Sequence, residues 1–177
     1  RIFDLMLDPS FRGGMNSGSK VEKYIREKIG TYDFSSLNIP FSALATDLEN
    51  GEKYVLTSGD LAHAIRISLS VPLIFQPVLH DGHFLADGGL SDPVPVDVAR
   101  SLGADIVIAV NLDAHYFSKD VRGPFNLAKV AHRSVNILRY QKAKSCVANA
   151  DIVLEPHARD GGLVGWADFL QQKNVIF

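Results

Sequence analysis

Apolar residues recur three and four positions apart in three segments of the chain, a spacing that places them on one face of a helix. These segments are residues 20–28, 61–69 and 125–147. Ser17 or Ser19 can cap the first helix, with Glu22 in capping-box spacing from Ser19, and Gly30 ends it. The second helix stops before Pro72, because the residue preceding a proline is driven out of the α region. We therefore expect an amphipathic helix in each of these three segments.

Short apolar runs bounded by turn residues predict six strands. They are residues 41–48, 53–57, 78–79, 84–86, 106–110 and 150–154. Asn50-Gly51 and Asp81-Gly82 are turn dipeptides, so they predict that the first four strands form two hairpins. The last two runs show no alternation with polar residues. We expect these two strands to need cover on both faces and neighbours at both edges.

The segment from Phe84 to Leu112 combines a strand, a tight turn, a helix and a second strand. This β-α-β order predicts an α/β fold, and the lack of a repeat or linker predicts one domain over residues 1–177. Asp87 lies at the turn, before Gly88 and Gly89. Asp-Gly is an ordinary turn pair, so a purely structural role is one interpretation. The other is chemical, because α/β proteins place functional groups where buried strands end.

The motif DGG, followed by PVPVDVARSLGAD and a buried strand, resembles the patatin-like phospholipase family. The resemblance extends to LNIPFSALATD, DLAHAIRISLSVP and Phe75-Gln76-Pro77. It implies a three-layer α/β fold with a mostly parallel central sheet and helices on both faces. It also implies that Asp87 is the proton acceptor of a Ser–Asp catalytic dyad, with Gly88 and Gly89 completing the motif.

The serine of such a dyad is expected in G-x-S-x-G, a strained turn between a strand and a helix. The sequence contains no such motif. Residues 14–18 have the wrong spacing, and the glycine-rich residues 161–165 follow the aspartate, the reverse of the family order. We therefore expect that an N-terminal part of the catalytic domain, with the serine and the oxyanion loop, is missing. We expect this chain alone to be inactive, and to pack against its own N-terminal half or self-associate through an exposed apolar face and an unpaired strand edge.

The resemblance implies hydrolysis of phospholipids, lysophospholipids or simple acyl esters, with the serine proton passing directly to Asp87. An alternative of a different class is a non-catalytic α/β binding or regulatory module that keeps the fold without the serine. The sequence upstream of Arg1 discriminates between them, because a G-x-S-x-G after an apolar strand would favour the enzyme.

Several other side chains allow different chemistry. His80 or His83 would be the histidine of a Ser-His-Asp triad, and with Asp81 they would form a metal-ligand set. Their place at a hairpin turn favours exposure to solvent instead. Arg66 either pairs with a buried carboxylate or, as its place opposite an apolar helix face favours, lies exposed. Ser70 is expected to make local backbone hydrogen bonds.

The composition limits which classes of partner and ligand the chain is expected to bind. The 177 residues are 46% hydrophobic and 21% charged, with a net charge of −2, so no basic surface for nucleic acid is indicated. The single cysteine excludes an internal disulfide and a Cys-rich zinc site. We expect no cofactor and no metal, a lipid or acyl-ester substrate, contact with a membrane surface, and a cytoplasmic or peripheral membrane location.

Overall fold

The computed structural model describes residues 8–10, 13–30, 32–115 and 126–156. The α-helices are α1 (Ser19–Ile29), α2 (Leu61–Ser68), α3 (Val96–Ser101) and α4 (Leu127–Cys146). The strands are β1 (Ala43–Asp47), β2 (Lys53–Leu56), β3 (Val78–His80), β4 (His83–Asp87), β5 (Ile108–Val110) and β6 (Ile152–Leu154). Short 3₁₀ turns cover Phe34–Ser36, Gly88–Leu90 and Val147–Asn149.

Four strands form an antiparallel sheet in the order β2-β1-β4-β3. Two hairpins build it, β1–β2 and β3–β4, and β1 pairs with β4 in the middle. The turn between β3 and β4 has Asp81 at φ 49° and Gly82 at φ 85°, the left-handed conformations that a two-residue hairpin turn requires. Both predicted hairpins are confirmed.

The helix starting at Ser19 begins differently from the prediction. Its N-terminal cap is Gly18, in the left-handed region at φ 78°, and no side chain caps the helix. The hydroxyls of Ser17 and Ser19 instead donate to the carboxylate of Asp8. The predicted end is confirmed, because the N–H of Gly30 donates to the carbonyl of Arg26.

The main core lies between this sheet and α2. It contains the buried side chains Phe34, Ala43, Ala45, Leu56, Leu61, Ala64, Ile67 and Leu85. A second cluster joins α3, β5 and α4 through Val94, Val96, Val107, Ala109 and Ala143. Because α4 also contacts the 3₁₀ turn Gly88–Leu90, the end of β4 lies between the two clusters.

Strands β5 and β6 pair in parallel, with α4 as the crossover between them. Within β5 only Ala109 is buried, whereas Ile108 and Val110 are 58% and 51% exposed. All three residues of β6 are exposed. Apolar side chains of β5 and β6 are therefore exposed, although the sequence of both strands is typical of full burial.

The α/β class is confirmed, but the predicted mostly parallel sheet is not what the described residues form. In their larger sheet two pairings join strands connected by hairpins, which reverse the chain, and the third pairing, between β1 and β4, is also antiparallel. Parallel pairing is limited to β5 and β6. Among the described residues, no helix combines the length and the apolar character that crossing a bilayer would need.

Candidate active site

Asp87 is the last residue of β4, and both of its backbone groups are held. Its N–H donates to the carbonyl of Ser70 at 3.0 Å, and its carbonyl accepts from the Oγ1 of Thr46 at 2.8 Å. In the sheet it lies opposite Ala45 of β1. The backbone of Asp87 is therefore held by two other segments of the chain, β1 and the loop after α2.

The carboxylate of Asp87 turns away from bulk water, since its side chain is only 15% exposed. Its Oδ1 accepts a hydrogen bond of 2.7 Å from the N–H of Gly89, two residues further on. Its Oδ2 lies 3.9 Å from Nη1 of Arg139, beyond hydrogen-bond distance. One oxygen is thus fixed by the turn, and the other keeps its capacity to accept a proton.

The two glycines after Asp87 are needed for close approach rather than for a left-handed backbone, because neither has a positive φ. A Cβ on Gly88 would overlap the backbone carbonyl of Leu44 in β1. A Cβ on Gly89 would lie 3.0 Å from Cζ of Arg139 and 3.0 Å from Oδ1 of Asp87. The DGG turn therefore fits tightly between a strand backbone and a guanidinium group.

Arg139 of α4 lies between two carboxylates. Its Nη1 is 3.9 Å from Oδ2 of Asp87, and its Nη2 is 3.5 Å from Oδ2 of Asp113, which follows β5. Its Nε is buried and has no hydrogen-bond partner in the described part of the chain. The site is therefore an Asp–Arg–Asp arrangement assembled from β4, α4 and the segment after β5.

Burial raises the pKa of the Asp87 carboxyl above its ordinary value of 3.8. The positive charge of Arg139 and the hydrogen bond from Gly89 oppose this rise, whereas the negative charge of Asp113 reinforces it. The net result is a carboxylate that is a stronger base than an exposed aspartate, which is what a proton acceptor requires.

The two histidines considered for a Ser-His-Asp triad or a metal site do not lie beside the carboxylate of Asp87. His83 begins β4, at the opposite end of the strand from Asp87, and its Nδ1 is 2.8 Å from Oδ2 of the buried Asp47. His80 faces Asp81, with 3.5 Å between Nε2 and Oδ2. Within the described ranges, no three His, Cys, Asp or Glu side chains converge to hold a metal ion.

Arg66 is not exposed, and the expectation that it faces solvent is wrong: the residue is 2% accessible. It donates to the carbonyls of Ser17 and Gly18, at 2.6 and 3.0 Å, and to Oγ of Ser70 at 2.6 Å. Its guanidinium also lies over the ring of Phe75. Because Ser17 and Gly18 lie against the side of α2 that the pattern marks as polar, both sides of this helix are covered. Ser70 makes the expected local bond, to the carbonyl of Arg66.

Arg139 and Asp113 were not predicted as site residues. Arg139 is 52 positions from Asp87 in the sequence, and no periodicity of α4 marks it. Asp113 offered a usable signal, because it follows a β-branched run, and carboxyl ends of strands in α/β folds collect functional side chains.

The geometry describes an α/β protein with a sheltered carboxylate at a glycine-rich strand end, and comparison with known proteins places it in a family. The patatin-like phospholipase family matches residues 1–100, more than half of the chain. The chain therefore belongs to the patatin-like phospholipase family.

Individual relatives agree with this. An uncharacterized NTE family protein of Mycobacterium tuberculosis is 38% identical over 109 residues, 61% of this chain and 30% of that protein. Patatin-like phospholipase domain-containing protein 7 of Mus musculus is 35% identical over 100 residues, 55% of this chain and 7% of that protein. Neuropathy target esterase sws of Drosophila melanogaster is 34% identical over 100 residues, with the same coverage of 55% and 7%. The matched region is less than a third of the length of each relative.

Proposed function

We propose that this chain supplies the aspartate of a Ser–Asp dyad in a serine-type hydrolase of lipid acyl esters. The observation that carries the proposal is the state of Asp87: a strand-end carboxylate, 15% exposed, whose pKa burial raises. Relatives named as phospholipases and an esterase support the substrate class.

In this mechanism Asp87 accepts the proton of a serine hydroxyl as the serine oxygen attacks the ester carbonyl. An exposed aspartate is a weak base toward a hydroxyl, so the raised pKa of Asp87 favours the transfer. Because Gly89 holds Oδ1, the more open Oδ2 is the oxygen that takes the proton. The serine would come from a segment that precedes these residues, since none of the 177 lies in G-x-S-x-G.

The test compares Asp87→Asn with a matched control, Asp81→Asn, in the full-length protein. Asp81 lies at the β3–β4 turn with a 75% exposed side chain, and its φ of 49° suits asparagine. Hydrolysis of a short-chain nitrophenyl ester should fall about 100-fold or more in Asp87→Asn, the lower end of what a general base contributes. Asp81→Asn should retain parental turnover.

Near-parental hydrolysis by a folded Asp87→Asn protein would exclude the dyad. A serine-reactive fluorophosphonate separates the two classes of function considered for this fold. An intact protein that neither hydrolyses esters nor is labelled would be a non-catalytic α/β module instead.

A further inference from the structure

We infer that Arg139 is a positioning residue for Asp87 and that Asp113 balances the positive charge of Arg139. Together, Arg139 and Asp113 hold the carboxylate of Asp87 in place and set its affinity for the proton. This inference rests on the proposed function. Arg139 lies on α4 and Asp113 lies in the segment after β5. No sequence pattern links either of them to the DGG turn.

The first support is the distance between the charges. The guanidinium of Arg139 is 3.9 Å from the Asp87 carboxylate and 3.5 Å from the Asp113 carboxylate, measured between the closest atoms. The two carboxylates are 15% and 18% exposed, and Arg139 is 28% exposed. At such distances and partial burial, charges act on one another more strongly than they do in open solvent.

The second support is the shape of the turn. The guanidinium lies beside the position where a side chain on Gly89 would begin, with Cζ and Nη2 at 3.0 and 3.1 Å from that position, closer than most Cβ contacts. The missing Cβ therefore admits Arg139 beside the carboxylate. Because Arg139 and Oδ1 of Asp87 border the same small space, the guanidinium limits how far the carboxylate can rotate.

The third support is the charge balance during proton transfer. Arginine stays protonated throughout, so Arg139 needs a negative partner whichever state Asp87 is in. When Asp87 accepts a proton and becomes neutral, Asp113 remains as that partner. In the ionised resting state, Arg139 stands between two carboxylates that would otherwise repel each other.

Among the residues that the structure describes, two charged side chains act on the pKa of Asp87. Arg139 reaches it from α4 and Asp113 from the segment after β5, and both change its pKa. From β1 and from the loop after α2, its backbone is contacted by the uncharged Thr46 and Ser70. A change in the proton affinity of Asp87 can therefore be traced to these two charges.

The experiment measures kcat/KM against pH in the full-length protein, for Arg139→Gln, Arg139→Lys and Asp113→Asn. Since Asp87 works when deprotonated, the acid limb of the profile follows its pKa.

Arg139→Gln removes a positive charge and should shift the limb to higher pH. Asp113→Asn removes a negative charge and should shift it to lower pH. Arg139→Lys keeps the charge and should leave the limb near its parental position, with a lower maximal rate because the planar fork is lost.

Lys129→Gln is the control, because Lys129 is an exposed cation on the same helix, and it should leave the profile unchanged. An acid limb that stays in place in both Arg139→Gln and Asp113→Asn would overturn the inference. A rise in KM confined to anionic phospholipid substrates, with the limb unmoved, would also overturn it and assign Arg139 to headgroup binding. If Arg139→Gln does not fold, the shift in Asp113→Asn decides alone. The proposed function fails separately, through an active Asp87→Asn protein.

Discussion

Gly88 lies directly against the backbone carbonyl of Leu44, so that the turn after β4 touches β1 with no space for a side chain. The neighbouring glycine differs, because the atoms next to Gly89 belong to the ends of the Arg139 and Asp87 side chains. Backbone atoms of a paired strand cannot move away without breaking the sheet, whereas the end of a long side chain can. The two glycines of the motif therefore differ in what an added methyl group would displace.

We predict that Gly88→Ala destabilises the protein by about 1–3 kcal/mol, the usual cost of overpacking, and that Gly89→Ala costs below about 1 kcal/mol. Urea unfolding of both variants measures the difference, with the slope checked for constancy. Each variant is the other's control, since both add one methyl group to the same turn. Equal losses of stability would mean that the contact with Leu44 does not restrict the turn.

Asp87→Asn is expected to raise the thermal stability of the protein near neutral pH. The pKa of Asp87 is raised in the fold, so its ionised form is less favourable there than in the unfolded chain. The penalty is absent well below the ordinary value of 3.8, grows as the pH passes that value, and is constant above the raised pKa.

Melting temperatures of parent and variant should therefore coincide in strong acid and separate in favour of Asp87→Asn toward neutral pH. Asp81→Asn provides the comparison for a solvated aspartate, and its melting curve should follow that of the parent. A variant that becomes less stable than the parent as the pH rises would show that the native environment favours the charge.

Lys53 is expected to stabilise a buried carboxylate outside the site. Its Nζ is 3.0 Å from Oδ2 of Asp92, whose side chain is 3% exposed. The other oxygen, Oδ1, has no hydrogen-bond partner in the described part of the chain. Lys53→Met would leave this charge without a counter-ion, at a cost of about 2 kcal/mol or more.

The double variant Lys53→Met with Asp92→Asn should recover part of that loss, because the neutral amide needs no counter-ion. Urea unfolding of the parent, the two single variants and the double variant gives the coupling. Strictly additive losses would show that Lys53 does not interact with Asp92, and that its contact with the exposed Asp97 is the relevant one.

Local chemistry explains which parts of the fold could be predicted. Asp81-Gly82 and Gly30 act through their own backbone preferences, so the β3–β4 hairpin and the end of α1 follow from a few adjacent residues. In the same way, the adjacent residues Asp87, Gly88 and Gly89 predict a turn at the end of β4. The antiparallel pairing of β4 with β1 could not be predicted from these residues. A turn dipeptide indicates which two strands form a hairpin, but not which other strand pairs with the hairpin.

The rest of the site depends on contacts between distant segments. Arg139 reaches Asp87 because α4 packs against the turn after β4, and neither segment carries a signal for the other. The prediction that Arg66 is exposed fails for a similar reason. Its helix has one apolar face in the sequence, but the carbonyls that cover the opposite side come from residues 17 and 18.

The hydrogen bonds of Arg66 have a mechanical consequence for the site. Arg66 joins the carbonyls of Ser17 and Gly18 to Ser70, and the carbonyl of Ser70 holds the N–H of Asp87. The loop before α1 and the end of β4 are thus linked through one arginine. A shift of that loop would be transmitted through Arg66 and Ser70 to the backbone of Asp87, so a substitution far from the carboxylate could still move it.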